Sequence, residues 1–306
     1  MSRTRLFAVC AMLVSSACHR SNTSTSARPS AQNMLVSTAW VAEHARDANV
    51  VLLHVGSKAQ YDSGHVAGSR HVMLTELAIP QVEGALSLQM ASVEQLTAWA
   101  KRNGIGDQTH VVIMPHDESL QSATRAFITM AYLGAFDRTS VVNGSFKAWR
   151  TEGRTVSIAA PPAANMTLTF TPKLRPELIA TITQVEAVTK DSGRTNLIDA
   201  RLARFYNGDG GGYPRPGHIP TAVNIPLNTM STNGFMKPAS ELKTLFDQAG
   251  VNGDKLIITY CHIGQQATML WFVATLLGYD AKMFDGSFQE WSGTARLPVV
   301  APPGAK

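Results

Sequence analysis

The strongest constraint on this chain is an internal repeat, in which one ordered set of short motifs occurs twice. The first copy reads Val51-Leu-Leu-His54, Tyr61-Asp-Ser-Gly-His65-Val-Ala-Gly68, His110-Val-Val-Ile-Met114 and Val141-Val-Asn-Gly-Ser-Phe-Lys-Ala-Trp149. The second reads Asn196-Leu-Ile-Asp199, Pro216-Gly-His218-Ile-Pro-Thr-Ala222, Lys255-Leu-Ile-Ile-Thr-Tyr260 and Met283-Phe-Asp-Gly-Ser-Phe-Gln-Glu-Trp291. Two units at about 150 residues each account for the 306 residues. The stretch from Pro161-Pro162 to Pro176 is rich in Pro and Thr and reads as a linker. The expected division is a first domain over 36–158, a linker over 159–178 and a second domain over 179–302.

Within each copy, short apolar strands alternate with helical patterns. Ser92-Val-Glu-Gln95 is a capping box that opens a helix running to Gly104, and Thr183-Gln-Val-Glu186 is read as another, with Gly193 as its stop. Leu242, Leu245, Phe246 and Ala249 share one helix face that Gly250 ends, and the apolar run from Gln265 to Leu277 stops at Gly278. Buried strands alternating with helices predict an α/β fold with a parallel sheet flanked by helices in each domain. In such sheets ligands bind at the carboxyl ends of strands, beside helix N-termini.

The N-terminus reads as an export signal over residues 1–17. Arg3 and Arg5 form a positive start, Leu6 to Val14 a short apolar core, and Ser15-Ser16-Ala17 a small-residue cleavage site. Cys18 then stands where a bacterial lipoprotein is cut and lipidated, although Ser15 replaces the usual Leu. Ordinary cleavage after Ala17 also fits. Residues 18–35 read as a flexible tether. Both routes place the mature protein outside the cytoplasm, in the periplasm or held to a membrane through Cys18. Loss of Arg3 and Arg5 with no acidic residue takes the formal charge from +5 to +3. That weak balance, without a basic run, gives no support for nucleic-acid binding. The nine histidines are scattered, no Cys/His spacing suits a metal, and no nucleotide fingerprint is present, so no cofactor is expected.

Of three cysteines, Cys10 leaves with the signal and Cys18 lies on the tether, so the folded body retains only Cys261. It directly follows the strand Leu256 to Tyr260 and opens the loop His262-Ile263-Gly264-Gln265-Gln266, which leads into a helix. A loop curling from strand end to helix start aims backbone N–H groups at one point, and with the helix dipole it stabilises an anion. Gly264 gives that loop a position free of Cβ constraints. Cys261 is thus a candidate nucleophile. The bland alternative is a small buried apolar side chain, a common fate of free cysteine.

At these residues the chain resembles the tandem-domain rhodaneses, which are sulfurtransferases. Ala281 to Trp291 is similar to the family's C-terminal signature, and Gly64-His65-Val-Ala-Gly68 and Gly217-His218-Ile-Pro-Thr-Ala222 resemble its Gly-His-Ile-Pro-Gly-Ala motif. Ala67 and Thr221 are departures. The resemblance covers roughly residues 36–300. It implies that Cys261 accepts a sulfane sulfur as a persulfide, drawn from a small anionic donor and passed to cyanide or a thiol. A six-residue loop is the length associated with sulfur transfer. Related phosphatases end a longer loop in Arg, whereas Ala267 stands at the corresponding place here.

Aligning Leu133-Gly134 with Leu277-Gly278 places Asp117 opposite Cys261, so the resemblance implies an inactive first domain. His65, Asn143-Gly144 and His218 are then expected to keep the fold. Asp199-Ala-Arg201 resembles the family's Asp-Ser/Ala-Arg, and Arg201 and Arg204 are candidates for the anionic donor, with surface salt bridges as the alternative. His262 either tunes the thiol or faces solvent, and Gly208-Asp-Gly-Gly-Gly212 is read as a flexible rim. The loop matches neither the Cys-Arg-Lys-Gly-Val-Thr of the thiosulfate branch nor the Cys-Gly-Ser-Gly-Val-Thr of the 3-mercaptopyruvate branch. A poorly turning-over persulfide carrier or thiol sensor is the reading from another class.

Overall fold

A computed structural model of the chain describes residues 33–301. The export signal, Cys10, Cys18 and most of the tether lie outside the described residues. Among the described residues, no helix is long and apolar enough to cross a membrane, and no group of three or more His, Cys, Asp or Glu is placed to hold a metal ion.

The repeat folds as two five-stranded parallel sheets of the same order. In the first, β1 (Leu35–Ser37), β5 (Thr139–Asn143), β4 (His110–Pro115), β2 (Val50–Val55) and β3 (Arg70–Val72) lie side by side. In the second the order is β6 (Ile179–Ala180), β12 (Ala281–Phe284), β11 (Leu256–Tyr260), β7 (Thr195–Asp199) and β8 (Val223–Asn224). The central strands β4 and β11 are buried nearly throughout, as the apolar runs require when helices cover both faces. A small antiparallel ribbon of β9 (Ser231–Thr232) and β10 (Phe235–Met236) is added to the second domain.

Helix boundaries follow local chemistry. Ser92 caps α3 (Val93–Arg102), with Gln95 returning a bond to the cap N–H. The second box lies two residues earlier than expected: Thr181 and Gln184, not Thr183 and Glu186, open α6 (Ile182–Lys190), which stops at Asp191 rather than Gly193. Thr181 directly follows β6 and takes the extended backbone that a cap needs. In α8 (Ala239–Gln248), Leu242 and Phe246 are buried, and Gly250 follows the helix with φ +76°.

The two histidines of the repeated Gly-His motif make the same clasp twice. His65 Nδ1 lies 2.9 Å from Tyr61 O with the rings stacked at 3.8 Å, and His218 Nδ1 lies 2.9 Å from Tyr206 O with its ring stacked on Tyr206, also at 3.8 Å. Each histidine also forms an antiparallel bridge to the end of its domain, at Ser157 and Val300. The linker lies against the first domain: Phe170 is buried, Asp107 N donates to Thr169 O, and Lys173 N donates to Leu133 O. At the other edge Met34 is already buried and β1 starts at Leu35, one residue before the expected boundary.

The domains share one core. Helix α4 (Gln121–Tyr132) packs on α9 (Ala267–Leu276), with the Phe127 ring edge-on to Phe272 at 4.9 Å and Thr124 Oγ1 2.7 Å from Thr268 Oγ1. This contact brings the first domain against the loop that follows β11.

Candidate active site

Cys261 is fully buried at the carboxyl end of β11 and is the free cysteine of the described residues. Its loop is held from outside by its carbonyls. Two first-turn N–H groups of α10 (Ser287–Gly293) are used here: Phe288 N donates to Cys261 O and Gln289 N to His262 O, both at 3.0 Å. Such N–H groups have no partner within their own helix, so the loop satisfies them. Thr268 Oγ1 donates to Gln265 O at 2.7 Å, and Arg125 Nη1 donates to Gly264 O at 3.2 Å. By contrast, among the described residues the N–H groups from His262 to Gln266 donate to no protein acceptor. The loop is therefore a set of donors with its carbonyls turned out, which is the arrangement that receives an anion.

Two further residues fix the corner. Ser287 Oγ accepts from Cys261 N at 3.1 Å and donates to Phe284 O at 2.9 Å, with Cys261 Sγ at 4.0 Å. Gly264 adopts φ +80°, and a Cβ there would stand 2.5 Å from Asp285 O. Glycine is required both for the backbone angle and for the space.

His262 is half-buried rather than free in solvent. A hydrogen bond of 2.7 Å joins its Nδ1 to Tyr213 Oη, and Phe205 meets its ring edge-on at 4.7 Å. Burial, with the Arg201 charge adding to it, lowers its pKa to about 4, so the imidazole is neutral at neutral pH. Tyr213 is pushed above the ordinary phenol range by burial and keeps its proton. Tyr213 directly follows the Gly208–Gly212 turn, so that turn carries a side chain onto the Cys261 loop.

Arg201 is buried and not in a surface salt bridge. It is 1% exposed, its Nε and Nη2 are committed to Asp199, and Nη2 also donates to Gly217 O at 2.7 Å. Asp199 is itself fully buried, and the guanidinium stacks 4.1 Å above Phe288. A buried carboxylate needs such a partner, and Arg201 serves as that fixed charge rather than as a surface bridge. Arg204 is exposed on α7 (Ala203–Tyr206), its guanidinium 4.4 Å from the Phe205 ring that borders His262. Of the two arginines, only Arg204 offers a charge to solvent at the rim.

The two domains can be superposed residue by residue through their sheets. Val111 pairs with Thr139 as Ile257 pairs with Ala281, and Lys147 N donates to His116 O as Gln289 N donates to His262 O. Residues 37–152 and 182–294 each match the Rhodanese-like domain family. The chain belongs to the rhodanese family. Sulfur carrier protein TtuD of Thermus thermophilus is 31% identical to it over 286 residues, which is 87% of this chain and 96% of that protein. The 3-mercaptopyruvate sulfurtransferase of Escherichia coli is 28% identical over 278 residues, 85% of this chain and 95% of that protein. Among solved structures, wild-type EanB superposes with a TM-score of 0.79 at 22% identity over 88% of this chain and 69% of that one. SseA of Escherichia coli, a 3-mercaptopyruvate sulfotransferase by name, gives a TM-score of 0.74 at 24% identity over 83% of this chain and 98% of that one. These last two likenesses concern the fold.

Within this rhodanese, the strand register corrects the residue that stands in place of the cysteine. His116 matches His262, so Pro115, not Asp117, occupies the position of Cys261. Helix α4 has 12 residues and α9 has 10. Counting back from the helix ends carries that difference into the loop. Asp117 instead accepts from Gln60 Nε2 at 2.8 Å. Proline offers no nucleophile.

Asp285 and Ser287 lie within the Met283–Trp291 motif, which gave them no individual role, whereas Arg125 and Tyr213 carry no motif of their own. One signal does exist for Arg125. It is the sole charged residue in the twelve of α4, and a lone charge on a buried helix must find a partner.

Proposed function

We propose that this rhodanese transfers a sulfane sulfur from an anionic donor, thiosulfate in the first instance, to cyanide or a thiol through a persulfide on Cys261. The Cys261 sulfur attacks the outer sulfur of the donor. The donor's S–S bond breaks, and sulfite leaves with the electron pair. A cyanide or thiolate then attacks the outer sulfur of the persulfide, giving thiocyanate or a new persulfide and returning Cys261. The observation that carries this reading is the buried Cys261 at the start of a loop whose five backbone N–H groups, His262 to Gln266, have no protein acceptor among the described residues. Those donors suit the negative charge that the sulfur bears before and after each transfer. The names of the relatives from Thermus thermophilus and Escherichia coli favour sulfur chemistry of this class.

In this proposal Arg204 attracts the donor at the rim, and neutral His262 lines the approach. The first domain holds no nucleophile and closes one wall. The work is done outside the cytoplasm, with a lipid on Cys18 as the one link to a membrane.

A donor panel with cyanide as acceptor tests the reading, with the protein mass recorded after each donor. Thiosulfate is expected to add ~32 Da, one sulfur, to the wild type and nothing to Cys261→Ser, because an alcohol forms no persulfide. Turnover with 3-mercaptopyruvate alone moves the assignment to that donor, a reading that the Escherichia coli relative favours. A persulfide that forms but is not turned over to cyanide favours a sulfur carrier, as the Thermus relative is named. Full activity in Cys261→Ser removes the mechanism.

A further inference from the structure

We propose that Arg125, which belongs to the domain without a nucleophile, is a positioning residue for sulfur transfer: it sets the orientation of the Gly264–Gln265 peptide above Cys261. The inference rests on Cys261 being the reactive sulfur.

Arg125 is 2% exposed on α4, and its guanidinium crosses into the second domain. Nη1 forms an ion pair with Asp285 and donates to Gly264 O at 3.2 Å, while Nη2 donates to Leu88 O. Asp285 is held in turn from the first domain, its Oδ2 accepting from Met90 N at 2.9 Å. The fork thus ties together α4, the Leu88–Met90 segment, the end of β12 and the catalytic loop.

A trans peptide is planar, with its C=O and the following N–H pointing in opposite directions. A donor that draws a carbonyl outward therefore turns the next N–H inward. The α10 tethers do this for the N–H groups of His262 and Ile263, and Thr268 does it for Gln266. These tethers all come from the catalytic domain. Arg125 does the same for Gln265, and here the hold matters most. The peptide begins at Gly264, at φ +80°, where no side chain resists rotation. Without the guanidinium, Gly264 O loses its partner from the other domain and the peptide is free to reorient, removing one donor from the cradle. Losing one donor from a pre-organised anion site costs about 10²-fold in rate or more.

Two variants of the full chain test this. The pair Arg125→Gln with Asp285→Asn removes both buried charges together, and Asn can still accept from Met90 N. Arg125→Lys keeps a cation beside Asp285 but lacks the fork that spans Asp285, Gly264 O and Leu88 O. Three quantities are read on folded protein: the kcat and KM of persulfide formation from thiosulfate, the alkylation rate of Cys261 by iodoacetamide, and the thermal midpoint. We expect kcat and alkylation to fall together by about 100-fold or more, with KM changed less than about threefold. Wild-type kcat and alkylation in either folded variant overturn the proposal, whatever the midpoint does. If the double variant does not fold, Arg125→Lys decides alone. Alkylation needs no sulfur donor, so an absence of any persulfide in the wild type would refute the proposed reaction while the alkylation rates still judge Arg125.

Discussion

Gly264→Ala separates the geometry of the loop from the stability of the fold. The residue sits at φ +80°, which costs a residue bearing a Cβ about 1–2 kcal/mol. Gly250, remote from the site at φ +76°, incurs the same cost, and a Cβ there meets nothing within 4 Å. Both substitutions should therefore lower the thermal midpoint by about 2–8 °C. Only at Gly264 is there a collision: the new Cβ would lie 2.5 Å from Asp285 O and 2.7 Å from Asp285 Oδ1, against an ordinary contact of 3.4 Å or more. Asp285 O is backbone and Oδ1 is held by Arg125, so the loop must give, by about 0.9 Å. A misplacement near 1 Å at a reacting centre costs about 10²-fold. Persulfide formation followed by mass spectrometry, with melting curves on both variants, gives the comparison. We expect Gly250→Ala to keep its rate and Gly264→Ala to lose about two orders of magnitude. Equal rates in the two variants would show that the N–H cradle is not what makes Cys261 work.

Other measurements address the remaining parts of the site. Arg204→Ala should raise the apparent KM for thiosulfate several-fold and leave the cyanide half-reaction nearly unchanged, since the lost contact serves ground state and transition state alike; stopped-flow traces of the two half-reactions check it, and unchanged donor kinetics return Arg204 to the surface. Folding lowers the pKa of His262 from the ordinary 6.5 to about 4, so the unfolded chain binds more protons between those values. Stability is then complete above pH ~6.5 and falls as the pH drops towards 4, and His262→Gln should flatten part of that fall in melting curves; identical slopes would refute the assignment. Cys18→Ala should release into the soluble fraction, or leave uncut, a protein whose wild type sediments with membranes, because two or more acyl chains anchor stably at about 0.8 kcal/mol per buried CH₂; a wholly soluble wild type would remove the lipid anchor.

What the sequence disclosed depended on how far apart the interacting groups lie along the chain. The parallel sheets, the helix that Ser92 caps, and the position of Cys261 after a strand are encoded within windows of a few residues. The clasps of His65 and His218 are equally local, each closing on a tyrosine 4 or 12 residues earlier. Legibility ends where a partner is distant or a count accumulates error. Alignment from the helix ends sets Asp117 against Cys261 because the two helices differ in length, and strand register restores Pro115. Arg201 looks available as long as Asp199 is taken as part of a motif rather than as a buried charge in need of a cation. Arg125 and Gly264 are 139 residues apart, and Arg125 and Asp285 are 160 apart. Gly264 and Asp285 stand in segments that the sequence marks, Arg125 does not, and the packing of α4 on α9 brings them together. A first domain without a nucleophile can thus still act on the chemistry, through one buried guanidinium that reaches across to Gly264 O and Asp285.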